Sequence, residues 1–212
     1  MPGDRPQQAK MTAPKTMMIA CGALARETLL LIERNKWDFM DVTCLPASYH
    51  NYPDRIPEAM RTKIREARNR GYERVVALFA DCGTGGALDA VLEEEDVQRI
   101  PGAHCYEFYH GRDAFAALAE EDLGTFYLTD FLARHFDRLI MEGLGIDRHP
   151  QLKDMYFGNY TRLVYLEQVE DPEIEALAQK AADTLGLEYK KVVTGLGPYS
   201  AFMEQFAEPT AQ

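Results

Sequence analysis

The chain has 212 residues, 46% hydrophobic and 27% charged, with a formal net charge of −11, enough for one domain with a full core. That acidic balance argues against nucleic acid and against an anionic membrane surface, since both call for a basic face. No apolar stretch approaches the roughly 20 residues of a bilayer span, and the opening MPGDRPQQAKMTAPKT has no apolar signal-peptide core, so a cytoplasmic protein with reduced thiols is expected.

Residues 1–14, rich in Pro, Gln and Ala, read as a disordered tail, and 15–207 as a single α/β domain. In chain order, KTMMIA (15–20) predicts a strand, LARETLLLIERN a helix, and FMDVTCLP (39–46) a second strand leading into the polar loop ASYHNYPDR. A helix over about 55–70 places Ile56, Met60, Ile64 and Ala67 on one stripe. RVVALFA (74–80) is the clearest strand, broken by Gly83 and Gly85 before the helix ALDAVLEEE. GAHCYEF (102–108) reads as a strand, with helices from Asp113 and from Asp130 to about Met141 flanking a short strand GTFYL (124–128). TRLVYLEQV (161–169) and EYKKVVTGL (188–196) are strands around a helix at 172–185, and a short helix follows Gly197-Pro198. Strands alternating with helices, and apolar along their whole length, predict a mostly parallel, doubly wound, Rossmann-like sheet with helices on both faces.

In such sheets ligands sit beyond the carboxyl ends of the strands. Cys21 and Cys82 each follow a strand and precede a helix, His50 lies in the loop after the second strand, and Cys105 lies beside His104 in the fourth strand region. These residues can share one crevice. A cysteine at a helix N-terminus has a lowered pKa, and thiolate with imidazole is the donor set of zinc. Cys21, Cys82, Cys105 and His104 are therefore candidate metal ligands, and His50 and His104 candidate acid/base groups. Gly22, Gly83, Gly85 and Gly86 are the candidate close-approach positions for a cofactor, although CGTGG lacks both the P-loop lysine and the G-x-G-x-x-G order. Cys44, inside DVTCLP, reads as a core residue. Tyr49, Tyr106 and Tyr109 can wall an aromatic pocket, with Glu167, Gly195, Gly197 and Tyr199 further candidates for the same mouth.

The order IACGAL, LPASYHNYP-RI, DCGTGG, HCYEFYHG and GTFYLT resembles the uncharacterised family DUF1638 over about residues 16–165. Carried over, the resemblance marks Cys21, His50, Cys82 and Cys105 as shared polar positions. The chain departs from the family pattern in three places: GTGG stands where an Asn is usual, His104 where an Asp is, and DF follows GTFYLT in place of a Trp. The resemblance implies an association with corrinoid-dependent methyl transfer. The expected function is a zinc protein of one-carbon metabolism, a methyltransferase or lyase-type enzyme acting on a small molecule in the crevice. The alternative is a non-catalytic module presenting a corrinoid, pterin or iron–sulfur cluster to a methyltransferase or corrinoid-protein partner.

Overall fold

The computed structural model describes residues 13–207, so residues 1–12 of the expected tail lie outside the described residues. Residues Thr16 to Ala20 are all buried in β1 (Thr16–Cys21), as expected of a strand covered on both faces. β1 pairs in parallel with β2 (Met40–Leu45) on one side and β3 (Arg74–Leu78) on the other, and β3 pairs with a two-residue β4 (Gln98–Arg99). A second parallel sheet holds β5 (Thr125–Thr129), β6 (Arg162–Glu167) and β7 (Glu188–Val193) in that order. The parallel α/β reading holds, with the strands shared between two sheets.

Helices cover both faces. Met17, Ile19, Ala77 and Phe79 face α2 (Ile56–Asn69) and α3 (Ala87–Glu94), where Ile56, Met60, Ile64, Leu88 and Leu92 meet them. The alternate residues Met18, Ala20, Val76 and Leu78 face α1 (Ala25–Asn35), α4 (Tyr106–His110) and α9 (Gly197–Glu204), as the two-residue period of a strand requires. The second sheet packs against α5 (Arg112–Glu121) on one face and against α6 (Asp130–Arg134) and α8 (Pro172–Leu185) on the other. A short α7 (Leu152–Phe157) precedes β6. α8 is bounded by clear signals: the Asp171 carboxylate accepts from the Glu173 and Ile174 amides at 3.1 and 3.4 Å, and Gly186 takes φ 75° after its last turn.

The chain returns to its beginning. α9 follows β7 of the second sheet, yet Tyr199, Met203 and Phe206 lie in the core of the first. The Tyr199 hydroxyl is 2.6 Å from that of Thr28 on α1, and the Arg74 guanidinium on β3 donates to the Phe206 carbonyl at 2.8 Å.

Two expected elements differ. GAHCYEF is a loop running into α4, because the Glu107 carboxylate turns back to accept from the Ala103 amide at 2.9 Å and closes a helix start. Cys105 is thus the residue preceding a helix and not part of a strand. The helix expected over 130–141 is interrupted: α6 stops at Arg134, and Asp137–Glu142 winds as a π-helix.

Candidate functional site

β1 and β3 end side by side, with Ala20 level with Leu78. Beyond them lies a cavity of about 50 Å³ closed by residues of both halves of the chain. The first half supplies Cys21, Cys82, Cys105, Tyr49, His50 and Tyr106, and the second supplies Phe131 and Leu132 of α6 with Leu139 and Ile140 of the π-helical segment. Among the described residues no Asp, Glu, Lys or Arg lines it.

Local structure explains how each thiol gets there. Cys21 closes β1, and its Sγ accepts from the Ala23 amide at 3.5 Å as the chain enters a 3-10 turn over Gly22–Leu24. A side chain at Gly22 would stand 3.2 Å from the Leu45 carbonyl and the Ala47 amide. Glycine there lets the chain leaving β1 pass against the chain leaving β2, which carries Tyr49 and His50 to the cavity. Cys82 has φ 50°, the left-handed region that side chains with a β-carbon rarely adopt. Its amide donates to the Ala103 carbonyl at 3.0 Å, and that of Asp81 to the Gly102 carbonyl at 3.1 Å, so the Cys82 loop is tied to the loop that delivers Cys105.

All four cysteines are free thiols. Burial pushes the Cys21 thiol up to about 12, and the charges of Cys82 and Cys44 add to it. Burial pushes Cys82 up to about 11, with Asp81 adding to the effect, and raises Cys105 strongly, with Cys82 and Cys21 adding to it. The three thiols share the wall of one cavity. The lowered pKa expected of a helix N-terminus does not arise at Cys82, because α3 starts only at Ala87 and loss of water outweighs every favourable dipole. Cys44 is half-buried on β2, packed against the core of the first sheet.

The glycine loop is occupied by its own chain. The Asp81 carboxylate accepts from the Thr84 hydroxyl at 2.6 Å, the Gly86 amide at 2.9 Å and the Gly85 amide at 3.1 Å, which holds its carboxyl below the usual range. The donors a phosphate would need at Gly85 and Gly86 already serve Asp81.

The remaining candidates divide. His50 lines the cavity mouth, its pKa pulled down by loss of water around the ring and by nearby His104. His104 is exposed, with its ring 6.1 Å from that of Tyr106, and is not among the lining residues. Tyr49 and Tyr106 line the cavity, whereas Tyr109 is buried against Tyr199. Glu167, Gly195, Gly197 and Tyr199 also stand outside it. Glu167 is buried at the end of β6, 3.5 Å from the Lys191 ammonium.

Sequence reasoning passed over the second-half wall, Phe131, Leu132, Leu139 and Ile140, because no local pattern says which two helical faces will meet. It also passed over a buried carboxylate pair behind that wall. Glu27 of α1 is 3% exposed, with Oε2 free of any hydrogen bond, and Asp130 of α6 is fully buried. Asp130 accepts from the Tyr165 hydroxyl at 2.8 Å and from the Gln168 and Val169 amides at 3.1 and 3.0 Å. Glu27 had a readable signal: it shares the helical stripe of Leu24, Thr28 and Leu31.

Among the described residues no three or more His, Cys, Asp or Glu side chains are arranged to hold a metal ion, and no helix is long and apolar enough to cross a membrane. Fold and site together define an α/β protein of two parallel sheets with a thiol-walled cavity at the strand carboxyl ends. The chain belongs to the family described as "Protein of unknown function (DUF1638)", whose model matches residues 44–202. β1 and Cys21, at the centre of the first sheet, precede the matched range. A search of curated proteins found no match.

Proposed function

We propose that the protein binds a small molecule in the cavity where its two sheets meet, and that Cys21, Cys82 and Cys105 gather a zinc ion at its wall. His50 or His104 serves as fourth ligand or as the acid/base group. The observation that carries this reading is the convergence of three thiols, from positions 21, 82 and 105, on one cavity with His50 beside them. The donor set suits zinc. The metal-free thiols are protonated at neutral pH, so loading releases protons, draws the side chains together from their present separation and strengthens as pH rises. A zinc ion held by Cys21, Cys82 and Cys105 with one position open would supply Lewis-acid chemistry, which suits methyl transfer or a lyase in one-carbon metabolism.

Metal analysis of purified, zinc-reconstituted protein tests the reading. Stoichiometric zinc is expected in the wild type and loss of it in Cys21→Ser, Cys82→Ser and Cys105→Ser. No zinc in any preparation overturns the metal site, and zinc that survives all three substitutions overturns this ligand set. A second reading, a non-catalytic module that presents a corrinoid, pterin or iron–sulfur cluster, draws on the absence, among the described residues, of charged side chains from the cavity wall. A coloured preparation that loses its visible absorbance on cysteine substitution favours it.

A further inference from the structure

A second cleft of about 440 Å³ adjoins the thiol-walled cavity and shares Pro46, Ala47, Asn51 and Leu139 of its wall. The two spaces differ in charge. The inner one has no charged side chain among the described residues, whereas the outer one has a single such side chain, Arg138. Arg138 sits on the π-helical segment Asp137–Glu142, directly before Leu139, the residue that lines both spaces. A π-helical turn is a rare backbone feature that concentrates at functional sites, and this one sets a guanidinium at the edge of an apolar cavity.

No ion pair or hydrogen bond to Arg138 occurs among the described residues. Tyr52, also on the outer wall, carries the Arg55 guanidinium 4.7 Å above its ring, and among the described residues no acidic side chain lines either space. In a chain of net charge −11, the Arg138 guanidinium at the cavity mouth, with no carboxylate on the wall among the described residues, forms a local attraction for anions.

We propose that the ligand is a small amphipathic anion: an uncharged, apolar part enters the inner cavity toward the thiols, and a carboxylate or phosphate at its other end is held by Arg138 in the outer cleft. This rests on the cavity reading given above and adds the class of ligand. Arginine supports both anions because its planar fork matches either in a bidentate pair.

The experiment uses the full chain with three probes of one apolar body: pentanoate, pentyl phosphate and the uncharged pentanamide. Binding is read by calorimetry, and occupancy of the inner cavity by slowed alkylation of the cavity thiols with iodoacetamide. At least one anionic probe is expected to bind more tightly than pentanamide and to protect the thiols. Arg138→Gln is expected to weaken that probe roughly fivefold to tenfold without changing pentanamide, and Arg138→Lys to retain part of the gain. Which anion binds better identifies the headgroup. Equal binding of all three probes, or anion binding untouched by Arg138→Gln, overturns the role of Arg138 while the cavity stands. Failure of every probe to bind or to protect the thiols overturns both. Arg138 is exposed, so the variant folds, and an unchanged thermal transition verifies it.

Discussion

At the scale of single residues, two side chains carry a local energetic cost. Cys82 holds φ 50° within a loop that also contains Gly83, Gly85 and Gly86, and a left-handed backbone costs a residue with a β-carbon about 1 kcal/mol or more. Lys36 and Asp96 hold the same left-handed backbone at φ 55° and 47°, and of these three Cys82 lines the cavity. Glu27 is the other. Burial lifts its carboxyl to about 7 from an ordinary value of 4.5, and Asp130 adds to the effect against the opposing charge of Arg26. Tyr109 and Tyr199 also feel its charge. Between pH 4.5 and 7 the unfolded chain has released this proton and the folded chain still holds it. Stability contributed by the protonated form is therefore complete below about 4.5 and is lost as pH rises through about 7. Glu27→Gln is expected to flatten denaturant-midpoint stability across this window and to be the more stable protein at pH 8. A variant that keeps the wild-type pH slope would show that Glu27 is not the titrating group.

At the scale of elements, the loop after β3 owes its shape to one carboxylate. Asp81 accepts from Thr84, Gly85 and Gly86, as a capping residue satisfies the free amides ahead of a helix. Asp81→Ala is expected to cost about 1–2 kcal/mol and to speed amide exchange at residues 85 and 86. Unchanged exchange there would refute the capping role. This loop also shows the limit of sequence reading. The pattern strand, Asp-Cys, glycines, helix was legible and correctly put Cys82 at a strand end. Which donor fills the glycine loop was not, because an Asp two residues before the first candidate glycine reads equally as surface charge. The misreading of GAHCYEF is similar: its alternation suited a strand, and the deciding contact, Glu107 back to the Ala103 amide, is a helix-start signal offset from the apolar run. β4 is two residues long and α7 six, too short for periodicity to reveal either.

At the scale of the whole molecule, apolar runs identified the central strands well, since burial on both faces, as in β1 and β6, leaves a continuous signature. They did not say that β5, β6 and β7 form a sheet of their own, because edge pairing leaves no mark in a strand's own sequence. The cavity follows from that division, with thiols from the first half and apolar side chains from the second. α9 binds the halves together, and removing residues 197–207 would uncover Met18, Ala20, Val76 and Leu78, which share one core with Tyr199, Met203 and Phe206. The truncated chain is expected to lose its cooperative thermal transition and to bind a dye for exposed apolar surface, whereas a wild-type melt would refute the role of α9. The same closure orders events in time. β1 (Thr16–Cys21) leaves the ribosome long before its last cover, α9 (Gly197–Glu204). At typical synthesis rates that face waits on the order of ten seconds, so the hazard of aggregation falls on the growing chain, before a finished molecule exists to be stable or unstable.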